Sequence, residues 1–170
     1  MSDKMRPDTL VFNETMRKFG APHTIIYQYQ HWSILLRPVQ LTLGSIVLVA
    51  HDPASAFSEL SQESFTELHK ITTKLEPALD RAFAYDKLNY LMLMMVDPDV
   101  HFHVIPRYAE PKKFGGMEFT DPGWPSAPDL SHTNKTSLPI NLNIINHIKT
   151  KLVQCHVKEH EIIYRCHITT

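Results

Sequence analysis

The sequence contains only two cysteines in 170 residues, Cys155 and Cys166, both close to its end. Two thiols cannot build the disulfide framework of a small secreted domain, so a reducing compartment is the default expectation. Charge of one sign is also lacking: 17 basic residues stand against 18 acidic ones, for a formal net charge of -1. Such a chain has no field for holding a long nucleic acid, although a local phosphate site stays open. No long hydrophobic run occurs either. The greasiest stretch, Tyr90 to Val96, falls far short of the roughly 20 apolar residues of a membrane-spanning helix. The charged segment Met1 to Asp8 has no apolar run like that of a signal peptide. These absences lead us to expect a soluble, cytoplasmic protein with no membrane or long nucleic-acid partner. No internal repeat or low-complexity tract is found. What is present, 43% hydrophobic and 21% charged residues, is ordinary usage for one globular domain with a proper core.

Along the chain, Leu10, Val11, Phe12, Met16 and Phe19 make a short apolar pattern for a first helix, interrupted by Gly20, Ala21 and Pro22. Thr24 to Gln30 and Trp32 to Leu36 are strand candidates, the second broken by Arg37-Pro38. Gly44 opens a continuous apolar strand, Ser45 to Ala50, of the kind found at the centre of a sheet. Ser61 is a helix N-cap, with Leu60 and Phe65 spaced as a hydrophobic staple. Phe65, Leu68, Ile71, Leu75 and Leu79 then mark one buried helical face. Pro77 is expected to kink or divide that helix, and His69 to serve packing or the surface. Tyr90 to Val96 reads as a buried strand with its methionines as core filler. Asp97-Pro98 turns the chain into a strand from Val100 to Ile105 that Pro106 should end.

Residues 107–131 are rich in proline and glycine and read as a loop anchored by Phe114, Phe119 and Trp124. A terminal helix follows, with Ser137 as cap, Pro139 in the first turn, and Leu142, Ile144, Ile145, Ile148 and Leu152 on it. The expected organisation is a core over residues 1–110 and an extension over 111–170 packed on the same domain.

Chemistry concentrates between Asp99 and Arg107. Side chains alternate along a strand, so Asp99, His101 and His103 are expected on one face, with Val100, Phe102 and Val104 in the core. Three readings of that polar face stay open on the residues alone. It is a hydrogen-bonded strand face; or a zinc or iron site, which needs a curved strand or a distant fourth ligand; or a centre of covalent catalysis on phosphorus. In the third, a neutral imidazole attacks a phosphoryl group while an acceptor at its other nitrogen holds the tautomer.

The string Val100-His101-Phe102-His103-Val104-Ile105-Pro106-Arg107 resembles the signature of the histidine triad (HIT) superfamily: three histidines alternating with apolar residues, then two apolar residues, often followed by proline and arginine. The resemblance extends over roughly residues 25–110, through Leu35 to Pro38, Gly44 to Val49 and the helix start at Leu60-Ser61. It implies an α+β fold of HIT type, a mainly antiparallel sheet with packed helices, and a homodimer. The implied activity is hydrolysis or transfer of nucleoside monophosphates from small nucleotides or nucleotide conjugates through a nucleotidyl-histidine, with no cofactor and no metal. His101 matches the nucleophile. His103 matches the third histidine, which contacts phosphate or moves a proton and whose carbonyl orients the nucleophile.

The sequence departs from the pattern at several positions. Asp99 occupies the first histidine's position. Arg37 falls near an expected asparagine, and Ser45 replaces a histidine after the family glycine if Gly44 is that glycine. The loop before the triad is shortened to Val96-Asp97-Pro98. Arg37, Ser45 and Arg107 are the candidate substrate-binding residues. A non-catalytic nucleotide-binding or protein-interaction module, and a metal-dependent site built on Asp99, His101 and His103, are the alternatives.

Overall fold

The computed structural model describes residues 12–166, with side chains through residue 154. Leu10 and Val11 of the first helix pattern, and the side chains of Cys155 and Cys166, lie outside the described residues. A short helix α1 (Glu14–Lys18) precedes strands β1 (Ile25–Gln28), β2 (Trp32–Leu36) and β3 (Ile46–Ala50). After a single 3-10 turn come the long helix α2 (Gln62–Phe83), strands β4 (Lys87–Leu91) and β5 (His101–Arg107), the hairpin β6 (Lys112–Phe114) and β7 (Met117–Phe119), and helix α3 (Leu138–Cys166). The five main strands form one antiparallel sheet in the order β1-β2-β3-β5-β4. This is the mixed helix and antiparallel-sheet architecture expected of the sequence.

β3 sits at the centre because all five of its residues are apolar, and all five are buried. One sheet face, carrying Ile34, Leu36, Ile46, Leu48 and Val104, is covered by Ile71, Leu75 and Leu79 of α2 and Ile144, Ile148 and Leu152 of α3. Burying each such side chain contributes about 1.5–3 kcal/mol, so this layer dominates the hydrophobic stabilisation. The opposite face, with Leu35, Val47 and Val49, is covered by Met16 and Phe19 from α1 and the residue after it.

The Ser61 cap forms as expected, its hydroxyl accepting the Ser64 amide. Pro77 does not divide α2, which runs unbroken for 22 residues. Both Pro77 and Thr73, whose carbonyl loses its helical partner, face water, where solvent replaces the missing bond. Phe65 is exposed rather than on the buried stripe and packs edge-on to Phe57.

Two strand boundaries differ from expectation. Tyr90 to Val96 is not a buried strand: β4 begins earlier, at Lys87, forms the sheet edge, and stops at Leu91. The chain then turns through 94–96, leaving Met95 95% and Val96 79% exposed. A uniformly apolar run carries no alternation and so no information about which side meets the core. β5 also continues past Pro106, which pairs with Leu88. The Pro106 carbonyl accepts the Thr42 hydroxyl, on the side where pairing with β3 has ended at Val104, so the missing N–H leaves no ladder bond unmade. Within the 107–131 loop, Gly115 and Gly116, with φ of 59° and 79°, make the tight turn of the β6–β7 hairpin.

Candidate active site

The register of β3 and β5 brings the histidines under α1. Val49 lies opposite His101 and Val47 opposite His103, so both rings emerge on the face that α1 covers. Phe19 closes over them, its ring 6.1 Å from that of His101 and 5.5 Å from that of His103. The two imidazoles meet edge to face at 5.1 Å. His101 is fully buried and His103 nearly so.

The Nδ1 of His101 lies 2.7 Å from the backbone carbonyl oxygen of Asp99. A carbonyl only accepts, so Nδ1 carries the proton and the lone pair resides on Nε2. The orienting carbonyl is therefore that of Asp99, not that of His103. The Asp99 side chain does not join the histidines. Its carboxylate accepts the Thr15 amide at 2.9 Å while its own amide donates to the Thr15 hydroxyl, fastening α1 to the start of β5. The expectation of one shared face thus holds for His101 and His103 and is corrected for Asp99.

The carboxylate beside the rings belongs to Asp97, which by sequence reads only as part of a turn. Its Oδ2 lies 3.9 Å from His101 Nε2, and its Oδ1 is ion-paired with Lys18 at the end of α1. Asp97 and His103 line an open cavity of about 470 Å³ with Lys18, Phe19 and Arg37, and Leu93, Met95, Val96 and Leu130 form its apolar side. His101 lies behind Asp97 rather than on the wall. Burial, with the positive fields of His101, Arg37 and Lys18 only partly offset by Asp97, pulls the His103 imidazole down to about 4, leaving it neutral at physiological pH. Burial likewise lowers the Arg37 guanidinium from its ordinary value.

Of the candidate substrate-binding residues, only Arg37 reaches this cavity, its Nη1 held by the Val39 carbonyl. Ser45 is fully buried and committed to its own loop: its hydroxyl donates to the Thr42 carbonyl and accepts the Thr42 amide. Arg107 stands six residues along β5 from His101, roughly 20 Å at strand spacing. It donates to both oxygens of Asp121, at 2.6 and 3.0 Å, and to Asn89 and the Ser126 carbonyl. Both residues are corrected to structural parts. Lys18, Phe19 and Leu130 gave no local signal, because only tertiary packing brings them to β5.

Comparison with solved structures settles the architecture. The chain has the histidine triad fold. A histidine triad protein from Sinorhizobium meliloti superposes with a TM-score of 0.66 at 18% identity, covering 84% of this chain and 97% of the other. A zinc-bound histidine triad family protein from Mycobacterium smegmatis gives 0.57 at 15% identity, over 81% and 89% of the two chains. Diadenosine triphosphate hydrolase from Plasmodium falciparum, in complex with cyclomarin A, gives 0.57 at 12% identity over 78% of each. No family model and no curated protein matches the sequence. At these identities the histidine triad fold is what the chains share.

Proposed function

We propose that this protein is a nucleotide hydrolase or nucleotidyl transferase that acts on small nucleotides or nucleotide conjugates through a nucleotidyl intermediate on His101. The observation that carries the reading is the 2.7 Å bond from His101 Nδ1 to the Asp99 carbonyl, which directs the lone pair to Nε2, an atom with no hydrogen-bond partner among the described residues. That is how an imidazole is prepared for attack. The fold is also shared with a diadenosine triphosphate hydrolase.

In this mechanism Nε2 attacks phosphorus, a P–N bond forms, and the bond from phosphorus to the leaving group breaks, the leaving group departing with the electron pair. The cation created on the ring is stabilised through Nδ1–H by the Asp99 carbonyl and by the nearby Asp97 carboxylate. Water or another acceptor then breaks the P–N bond, releasing the nucleoside monophosphate or its conjugate and restoring the neutral ring. Arg37 and Lys18 supply positive charge for the phosphate, and Leu93, Met95, Val96 and Leu130 an apolar wall for the nucleoside. Approach to Nε2 requires Asp97 to swing aside, which its place in the loop after the 94–96 turn and the half-exposed side chain of Lys18 permit.

The test is an acid- or base-quench assay with nucleoside phosphoramidates and dinucleoside polyphosphates labelled at the α-phosphorus. Wild type is expected to retain label on the protein, and His101→Gln to lose both label and turnover while still binding nucleotide. Turnover by His101→Gln equal to wild type excludes the covalent route. Nucleotide binding with turnover in neither protein identifies a binding module instead.

A further inference from the structure

The two rings at the start of β5 hold more buried nitrogen than the protein satisfies. His101 Nε2 and His103 Nδ1 are both buried with no hydrogen-bond partner among the described protein groups. The Asp97 carboxylate stands beside them, and one donor atom from each of Asp97, His101 and His103 lies within 4.8 Å of the other two. Buried polar atoms normally find partners, and here two on neighbouring rings lack one, beside a carboxylate that lines the cavity together with His103.

We propose that Asp97, His101 and His103 form a seat for a divalent transition ion of the zinc class, with a fourth position open to the cavity. Three features of the donor set support this. The His101 Nδ1–H already donates to a backbone carbonyl, the outer-shell arrangement that orients metal-bound imidazoles. Two imidazole nitrogens and one carboxylate oxygen favour zinc, cobalt or nickel over magnesium and calcium, which prefer oxygen alone. The exchange of Asp99 for Asp97 also removes the geometric objection to a strand-borne site. Three alternate residues on a straight strand spread over about 13 Å, whereas Asp97 sits before the strand and folds its carboxylate back over the rings.

Closing around an ion with bonds of about 2.0–2.2 Å requires the donors to draw in by about an ångström or slightly more. The histidine backbones are held in β5, so the closure comes from Asp97, in the loop after the 94–96 turn, and from rotation of the His103 ring. Lys18 neutralises Asp97 when the seat is empty; its side chain is 48% exposed, so it turns to water when the ion arrives. An ion on His101 Nε2 takes the same lone pair that the nucleotidyl transfer uses, so the loaded and reactive states exclude each other. The seat itself does not depend on that reading and is tested without nucleotide.

The experiment uses metal-free full-length protein carrying Cys155→Ser and Cys166→Ser, so that neither thiolate contributes. Cobalt(II) titration is expected to give one equivalent with the visible ligand-field absorption of a four-coordinate site, displaced by zinc(II). Asp97→Asn and His103→Gln are expected to weaken zinc binding by more than about tenfold, at least the loss seen when only an outer-shell partner is disturbed. Lys18→Met, which frees the carboxylate without touching a ligand, is expected to tighten it. His69→Gln, on the exposed side of α2, is expected to match the parent. Circular dichroism of each variant separates loss of fold from loss of ligand. Should a ligand variant fail to fold, Lys18→Met decides. Equal zinc affinity in the parent and Lys18→Met, or in the parent and a folded Asp97→Asn, overturns the seat, as does the absence of cobalt binding to the parent. Loss of the seat leaves the quench assay on His101 unaffected, and the reverse also holds.

Discussion

Arg107 and Asp97 show how far a residue's neighbours outweigh its place in a motif. Arg107 stands at the end of the HIT-like string, where a phosphate contact is the natural expectation, yet its fork is spent on Asp121, Asn89 and the Ser126 carbonyl. The Arg107–Asp121 pair is almost wholly buried, with side-chain exposures of 3% and 2%. Removing one partner of such a pair leaves an uncompensated buried charge, which costs about 3–5 kcal/mol. Arg107→Leu is therefore expected to lower unfolding stability by about that amount, measured by urea denaturation, while the folded fraction binds nucleotide as wild type does. A loss of nucleotide affinity without a loss of stability would return Arg107 to the site. Asp97 has no motif assignment, and it is the carboxylate that faces His101.

At the scale of elements, α1 is the one whose placement decides the site. Five residues are far too few for a helix to persist alone. Asn13 caps it by accepting the Met16 amide and donates to the Ala50 carbonyl, and Asp99 accepts the Thr15 amide. These bonds set α1 across β3 and β5, and so deliver Lys18 and Phe19 to the histidines. Hydrogen bonds to a charged group contribute about 1.5–3 kcal/mol. Asp99→Ala is expected to raise amide exchange at Thr15 and Met16 by at least about tenfold, which corresponds to about 1.4 kcal/mol, while α2 and β3 keep their protection. Unchanged exchange at those two amides would show that packing of Met16 and Phe19 alone holds the helix. The position of the first triad histidine is on this reading a tether for α1 rather than a member of the reacting cluster.

For the whole molecule, the half-buried His51 and the buried His103 shape the acid side of the stability curve. Burial lowers His51, whose Nε2 is bonded to Ser33, and opposing contributions from Gln30, Glu67 and Asp52 do not restore it. His103 is lowered to about 4. In the unfolded chain both revert to about 6.5, so below that value the unfolded state binds more protons than the folded one. Their contribution is complete above pH 6.5 and is lost as pH falls toward the folded values. In metal-free buffer the urea midpoint is expected to fall between pH 7 and pH 4.5, and His51→Gln to reduce the slope. A wild-type midpoint that stays flat over this interval contradicts the assignment.

Much of this was determined by the sequence alone, where a local rule acts without competition. The continuous apolar run of β3, the Ser61 cap, the helical rhythm of α2 and α3, and the period-two spacing that places His101 and His103 together each depend on a few neighbouring residues. Only the tertiary structure decided the rest. Which strand lies at the edge, and hence that Met95 and Val96 meet water, depends on pairing between segments far apart in the chain. So does the choice between Asp97 and Asp99, since both lie near His101 in sequence. The backbone turn at 94–96 and the pull of the Thr15 amide direct one carboxylate toward the rings and the other away from them.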